Sequence, residues 1–259
     1  MSVNQPPRRR PLQGLCSVLC FNWPFYALAL LAIALATAMA LLIPLPWAWL
    51  AVAIIALAIF GSLFGTWLAY DSGGLYDLEW LRGQLPGAGR GLILDAGFDE
   101  ISPYLKAVFP QWQWWRGDFF QAASHREASI RRARERAQAD HTAAAPDLSL
   151  RSTALPLVSA SMGVVVLFLA AHEIRDDAER RQFLSEVRRL LAPGGVVVLV
   201  EHLRDLANTC AYTLGVGHFH SASTWRADWQ AAGLRLRQQH RHRGLISAFI
   251  LEAGDDPLI

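Results

Sequence analysis

Two long runs without a single charged residue constrain this chain more than any other feature. Residues 24–43 read "PFYALALLAIALATAMALLI" and residues 47–70 read "WAWLAVAIIALAIFGSLFGTWLAY". About 20 apolar residues in a helix that rises about 1.5 Å per residue cross a hydrocarbon core about 30 Å thick. Lipid offers no partner for backbone polar groups, so each run must satisfy its own hydrogen bonds as a helix. The sequence therefore predicts two transmembrane helices, the first ended by Pro44 and the second begun by Pro46.

The charges that flank the two runs predict their orientation. Arg8, Arg9 and Arg10 precede the first run, the connecting turn is uncharged, and Arg82 and Arg90 follow the second run. Positive residues stay on the cytoplasmic side, which predicts a cytoplasmic location for both termini and the domain that follows. A buried helical hairpin in a soluble protein is the alternative. A signal peptide fits poorly, because a second run follows at once and no small-residue cleavage pattern is present.

A G-x-x-x-G pattern lies within the second run. Gly61 and Gly65 are four residues apart and therefore share one helix face. Small residues at this spacing let two helices approach closely. The simplest prediction is that this face packs against the first run.

The composition agrees with a membrane location and argues against a nucleic-acid partner and a cysteine-based metal site or disulfide framework. Hydrophobic residues make up 53% of the chain, and the net charge of +2 is too small to indicate a nucleic-acid partner. Cys16, Cys20 and Cys210 form no metal-binding spacing or disulfide framework. Lys106 is the only lysine, as is typical of a GC-rich bacterial genome. We therefore expect a bacterial inner-membrane (cytoplasmic-membrane) protein whose partner is the lipid bilayer.

The chain divides into four predicted parts. They are a cytoplasmic N-terminal segment (1–23), two transmembrane helices (24–70), a connector with Gly and Pro (71–90) and a larger domain (91–259). In the connector, a short amphipathic helix is expected near Leu75–Leu81.

The larger domain alternates strand and helix patterns. The apolar runs "VVVLFL" and "VVVLV" alternate with amphipathic segments such as "DDAERRQFLSEVRRLL". Uninterrupted apolar strands separated by helices are typical of a mostly parallel sheet that is covered on both faces. The last two strands are joined by a tight turn at 242–244 and should be antiparallel.

This order of elements, together with "HEIRDDAERRQFLSEVRRLLAPGGVVVLVEHLRD", resembles the class I S-adenosylmethionine-dependent methyltransferase family. The resemblance covers roughly Gly91–Glu252, and "LLAPGGVVVLVE" is its most specific part. It implies an α/β fold with a Rossmann-like seven-stranded, mostly parallel sheet that ends in a reversed hairpin. It also implies S-adenosylmethionine as the cofactor, bound across the carboxyl ends of the first strands.

The implied cofactor loop, "LILDAGFDE", matches the family only in part. Asp95 and Gly97 match the start of the family's D-x-G-x-G-x-G loop, whereas Asp99 and Ile101 stand at its next two glycine positions. A side chain there keeps the backbone away from the ligand. Asp118 matches the acid that binds the ribose hydroxyls. The resemblance thus assigns donor binding to Asp95, Gly97 and Asp118 in a degenerate loop.

Polar side chains follow the fourth and fifth strands, and parallel strands bring such residues to the same edge of a sheet. Histidine suits general base catalysis near neutral pH. We predict His172, and next His202, as the base that removes a proton from the methyl acceptor, with Glu173 beside it. The predicted acceptor-binding residues are Glu201, Arg204, Asn208, His218 and His220. Each of these histidines has a structural alternative, and Arg204 could simply cap the next segment.

Three functions remain open at this point. The leading hypothesis is a membrane-anchored methyltransferase that acts on a small or lipid-soluble acceptor, because anchoring raises the local concentration of such acceptors. A noncatalytic membrane adaptor with the same fold is the second. A metal-dependent enzyme is the third, although no H-E-x-x-H motif is present and we assign no metal ligands. The basic segment with Arg126, Arg131, Arg132, Arg134 and Arg136 is interpreted as a solvated helix face, or as a surface that rests on anionic headgroups.

Overall fold

The structure, a computed structural model, describes residues 7–43, 46–122, 127–139 and 145–254. Two apolar helices, α1 (Gln13–Leu42) and α2 (Pro46–Tyr70), precede an α/β domain. The strands of that domain are β1 (Gly89–Asp95), β2 (Trp112–Asp118), β3 (Leu148–Ser149), β4 (Met162–Phe168), β5 (Leu191–His202), β6 (Leu234–His242) and β7 (Ile246–Ala253). Its helices are α3 (Ser102–Val108), α4 (Ala128–Ala139), α5 (Asp177–Leu190), α6 (Leu206–Tyr212) and α7 (Ala222–Ala231). Pro44 and Arg126, which the sequence analysis used, lie outside the described residues.

The seven strands form one sheet in the order β3-β2-β1-β4-β5-β7-β6. β1 pairs in parallel with β2 and β4, and β5 pairs in parallel with β4. β7 is antiparallel to both β5 and β6. The predicted Rossmann-like sheet with a reversed terminal hairpin is therefore confirmed. The order reverses between β1 and β4, and this is where open α/β sheets bind ligands.

Both faces of the sheet are buried, as the apolar strand runs indicated. Along β4, Val165 and Leu167 face the layer that contains α5 and α7, whereas Val164 and Val166 face the opposite layer. The opposite layer contains α3, the connector and the end of α2. Successive strand residues point to opposite faces, so a strand buried on both sides consists almost entirely of apolar residues.

The two apolar helices are long and almost unburied. Each contains an 18-residue window of mean hydropathy 2.4 or 2.3, of which 0% and 11% of the residues are buried within the protein. A core helix of a soluble protein would be mostly buried. By length and composition both helices can cross a membrane. α1 begins at Gln13, earlier than the predicted start at residue 24, and it is interrupted by non-helical angles at Asn22.

The domain packs directly against α2 rather than hanging from a free linker. A Cβ at Gly61 would lie 3.2 Å from the carbonyl oxygen of Cys210, and one at Gly65 would lie 2.7 Å from the Cβ of Ala211. Both partners belong to α6. The G-x-x-x-G face therefore packs against α6, and the expectation that it packs against the first run was wrong. The reason is that α6, which the sequence analysis did not predict, supplies a small residue at the contact.

The remaining differences are local. The predicted helix near Leu75–Leu81 is only a 3-10 turn at Glu79–Leu81. Asp176 caps α5 by accepting a hydrogen bond from the amide of Glu179. The helix ends at Leu190, before the Pro-Gly-Gly segment, which belongs to β5.

Candidate functional site

The loop after β1 holds its own acid in place. The side chain of Asp95 accepts a hydrogen bond of 2.6 Å from the amide of Gly97, whose φ of +83° favours glycine. Asp95 also forms a buried ion pair with Arg116 of β2, with N–O distances of 2.5 and 3.0 Å. Burial raises the pKa of Asp95, and the hydrogen bond and charge of Arg116 oppose that shift. Asp95 thus fixes the conformation of the loop, and its carboxylate is already engaged by Arg116 and the Gly97 amide.

Asp99, which replaces the second glycine of the family loop, is turned toward the chain. Its Oδ1 accepts hydrogen bonds from the amides of Ile101 and Ser102, at 3.1 and 2.9 Å. These amides lie at the start of α3, where backbone donors lack helical partners. The departure from glycine therefore has a structural role, because Asp99 begins the helix that follows.

Arg134 of α4 covers the loop. Its Nη1 lies 2.8 Å from Oδ2 of Asp118 and 2.8 Å from the carbonyl oxygen of Ala96. A Cβ at Gly97 would overlap this guanidinium group, which also lies over the ring of Phe120. Asp95, Gly97 and Asp118 are thus brought together as predicted, but the space above Gly97 holds an arginine side chain. A ligand could lie above Gly97 only if Arg134 moved.

A buried imidazole–carboxylate cluster lies at the carboxyl ends of β4 and β5. His172 and Glu173 form a 3-10 turn after β4, and Glu201 lies near the end of β5. Nδ1 of His172 is 2.6 Å from Oε2 of Glu201, and Nε2 of His172 is 3.5 Å from Oε1 of Glu173. Burial opposes protonation of His172, but the two carboxylates outweigh it and raise its pKa to about 10. Burial would likewise raise the pKa of Glu173, but the two histidines lower it to about 2.

His218 completes this cluster from the segment after α6. Its Nε2 is 3.7 Å from Oε1 of Glu173, and its ring meets that of His172 edge to face at a centroid distance of 4.9 Å. Nδ1 of His218 is 3.6 Å from Oε1 of Glu127, beside the start of α4. The side chain of His218 is 24% exposed, whereas that of Glu173 is 5% exposed. His218 therefore forms the solvent-facing wall of the cluster.

His202 and Asn208 lie apart from the cluster and contact each other. Nδ1 of His202 is 3.1 Å from Oδ1 of Asn208 and 3.0 Å from the carbonyl oxygen of Leu245, and its Nε2 is 2.9 Å from the hydroxyl of Tyr70. Burial lowers the pKa of His202 to about 4, so the ring is neutral at pH 7. Both ring nitrogens have protein partners, so this side chain fastens β5 to the end of α2.

Two further predicted acceptor-binding residues also lie outside the cluster. Arg204 is exposed, and its amide donates to the carbonyl oxygen of His220. His220 lies 3.2 Å from Nη1 of Arg180, which forms a buried ion pair with Asp228 of α7. Of the acceptor-binding residues named from the sequence, the structure brings only Glu201 and His218 to His172.

Arg116, Arg134 and Tyr70 belong to the site region but were not predicted. Arg116 follows Trp112 and Trp114 at a spacing of two, so the strand period could have placed it on the buried face. Tyr70 was recognised only as a residue at a helix end. No local signal distinguishes Arg134 from the other arginines of α4.

Part of the chain matches a known protein family. Residues 121–199 match the family described as "Methyltransferase domain". The match begins after Asp118 and therefore excludes the degenerate loop after β1. No curated protein matches the chain significantly.

Solved structures share the fold at low sequence identity. An S-adenosylmethionine-dependent methyltransferase from Clostridium acetobutylicum has a TM-score of 0.50 and 11% identity, over 76% of this chain and 96% of that one. A SAM-dependent methyltransferase from Aquifex aeolicus has a TM-score of 0.47 and 16% identity, over 68% and 89% of the two chains. The matched segment and the sheet topology agree with the class I S-adenosylmethionine-dependent methyltransferase fold that the sequence resemblance implied.

Proposed function

We propose that this protein is a methyltransferase anchored in the bacterial inner membrane that moves a methyl group from S-adenosylmethionine to a small or lipid-soluble acceptor. The contact between the membrane-facing end of the molecule and the strand ends carries this proposal. Tyr70 ends the second apolar helix and contacts His202, the last residue of β5, whereas Glu201 beside it holds His172. An acceptor that leaves the bilayer beside Tyr70 would therefore emerge close to the strand that carries Glu201 of the cluster.

Exposed apolar side chains support the membrane part of the proposal. The candidate spans leave their apolar surface uncovered, and Leu206 and Leu214 around α6 are 79% and 98% exposed. Helix α6 packs on α2, so these leucines lie on the same side of the molecule as the hairpin. Burying them in the interfacial region of a bilayer removes apolar surface from water. The arginines that flank the two spans favour a cytoplasmic location for the domain.

Methyl transfer needs a group that accepts a proton. The bond between sulfur and the methyl group breaks, a bond between the methyl group and the acceptor oxygen, nitrogen or sulfur forms, and the acceptor loses its proton. Glu173 and Glu201 raise the pKa of His172 to about 10, so the ring is protonated at pH 7 and must first lose that proton before it can act as the base. His172, Glu173, Glu201 and His218 are thus the proposed acceptor site, and His202 is a positioning residue.

The donor would lie across Gly97 with its ribose on Asp118, as the fold implies. Arg134 occupies this space and pairs with Asp118 at 2.8 Å. The pair is partly exposed, with side-chain exposures of 21% and 14%, so its disruption is a modest cost. We therefore propose that donor binding displaces Arg134.

Binding of the donor is the decisive test. Calorimetry on the full chain in detergent micelles, with S-adenosylmethionine and with S-adenosylhomocysteine, should show binding that Asp118→Asn weakens. Transfer of a labelled methyl group from the donor to a bacterial lipid extract should then reveal the acceptor class. Absence of binding at millimolar concentration, in both the natural chain and Arg134→Ala, would remove the proposal.

The covered loop favours a second function, that of a noncatalytic membrane adaptor. In that case Arg134 holds the loop permanently closed and Asp118 serves only as its partner. The two functions predict different behaviour of His172→Gln and Asp118→Asn in cells. An adaptor keeps its cellular role after either change, whereas a methyltransferase loses it.

A further inference from the structure

The cluster that receives the acceptor has the arrangement of a metal site. One ligand atom each from His172, Glu173 and His218 lies within 4.8 Å of the other two. Nε2 of both histidines faces the same oxygen of Glu173, at 3.5 and 3.7 Å. Atoms bound to one tetrahedral ion at about 2.1 Å lie about 3.4 Å from each other, so only small shifts would bring the three groups onto an ion.

A carboxylate stands behind each histidine. Nδ1 of His172 is 2.6 Å from Glu201, and Nδ1 of His218 is 3.6 Å from Glu127. A metal-binding histidine almost always gives its other ring nitrogen to such a partner, which fixes the tautomer and orients the ring. His172 makes this contact as a hydrogen bond, and Glu127 lies within ion-pair distance of His218.

Glu173 provides an independent indication. Its side chain is 5% exposed, and its Oε2 is buried without a hydrogen-bond partner among the described residues. A buried carboxylate oxygen with no partner is costly and uncommon in folded proteins. The two histidines face the other oxygen, Oε1, so a cation between them supplies the missing partner when Glu173 binds it through both carboxylate oxygens.

We propose that His172, Glu173 and His218 bind one divalent transition-metal ion, with Glu201 and Glu127 as outer-shell carboxylates. Two nitrogens and one carboxylate suit Zn²⁺, Co²⁺, Mn²⁺ or Fe²⁺ and suit the oxygen-preferring Ca²⁺ and Mg²⁺ poorly. Three protein ligands leave a position open for an exogenous oxygen or sulfur atom. If the proposed methyl transfer is correct, the acceptor occupies this position, and the ion lowers the pKa of the group to be methylated so that its proton is lost to solvent. His172 then serves as a metal ligand and not as the base, because both of its ring nitrogens are engaged.

Metal binding can be measured without donor or acceptor. The full chain is purified in detergent through a tag without histidines, stripped with a chelator and titrated with Zn²⁺ by calorimetry. We expect one ion per chain with a Kd below about 1 µM. Co²⁺ should give visible absorption bands of an ion with nitrogen and oxygen ligands.

Variants locate the ion. Glu173→Gln and His218→Ala should each weaken Zn²⁺ binding by at least about 100-fold, and Glu201→Gln by about 10- to 100-fold. His240→Ala, on the edge strand β6, is the matched control and should bind like the natural chain. Circular dichroism verifies that each variant is folded. If His218→Ala does not fold, the more conservative Glu173→Gln still tests the proposal.

Two results would overturn the metal proposal: Zn²⁺ binding weaker than about 10 µM in the natural chain, or binding that neither Glu173→Gln nor His218→Ala reduces. A chain that binds donor but no Zn²⁺ contradicts only this inference. A chain that binds Zn²⁺ but no donor contradicts only the proposed methyl transfer.

Discussion

The hydroxyl of Tyr70 lies 2.9 Å from Nε2 of His202, which joins the last residue of the second apolar helix to the last residue of β5. His202 is neutral at pH 7 and its Nδ1 faces the carbonyl oxygen of Leu245, so Nε2 accepts a hydrogen bond from Tyr70. Through this contact, the position of the two apolar helices is coupled to the strand that carries Glu201.

Removal of this hydroxyl should loosen the junction. Tyr70→Phe deletes one buried hydrogen bond and leaves His202 without a partner at Nε2, so we expect a loss of about 1–3 kcal/mol in stability. Chemical unfolding in micelles measures the loss, and hydrogen exchange should rise around His202 and Asn208. Tyr26→Phe deletes a hydroxyl that bonds Ser62 within the hairpin, and it should not change exchange in the domain. Equal exchange in both variants would contradict the coupling.

Arg134→Ala should tighten donor binding. The natural side chain must leave Gly97 and Asp118 before S-adenosylmethionine enters, and its removal eliminates that cost, which is on the order of 1 kcal/mol or about 5-fold in Kd. Calorimetry with the donor and with its demethylated product measures the change. Arg131→Ala on the exposed part of α4 is the control. Weaker binding in Arg134→Ala would show instead that the guanidinium group contacts the donor.

Arg116→Gln should destabilise the domain strongly. Arg116 and Asp95 are both 5% exposed, and removal of one partner from a buried ion pair leaves an uncompensated charge, which costs about 3–5 kcal/mol. The exposed pair between Arg82 and Glu79 is the reference, since Arg82→Gln should cost less than about 1 kcal/mol. Similar unfolding midpoints for the two variants would mean that Asp95 finds another partner.

His202 makes the stability of the domain depend on pH. Its folded-state pKa of about 4 lies below the ordinary histidine value of 6.5, so the unfolded chain takes up a proton that the folded chain excludes. The contribution is fully present above pH 6.5 and is lost as the pH falls toward 4, with a slope of at most about 1.4 kcal/mol per pH unit. Denaturant unfolding from pH 7 to 4 should therefore show a shallower decline in His202→Gln. An unchanged slope would mean that the ring is already protonated in the folded state.

The sheet was predictable because its signals are local. Consecutive residues predict each of three elements: the apolar runs indicate β4 and β5, and the amphipathic pattern between them indicates helix α5. Parallel pairing then brought His172 and Glu201 to one edge without further information. For the same reason Asp95, Gly97 and Asp118 could be placed together.

The parts that escaped prediction depend on contacts between distant segments. Asn208 looked available for an acceptor, but the return of β7 brings the carbonyl of Leu245 to it. Arg134 resembles its neighbours on α4, and only the position of that helix over the loop after β1 turns it inward. Helix α6 is short and its sequence has no clear helical periodicity. Its packing partners are the distant glycines of α2, which a local pattern does not reveal.

If α2 spans a membrane as proposed, the close contact of Gly61 and Gly65 with α6 would fix the height of the proposed acceptor site relative to the lipid headgroups. A domain on a flexible linker could change its distance from the membrane surface to reach a substrate. A domain that is packed against α2 would keep one distance. The tail length of an acceptor would then decide whether its reactive group reaches that site, and bilayer thickness would become a determinant of turnover.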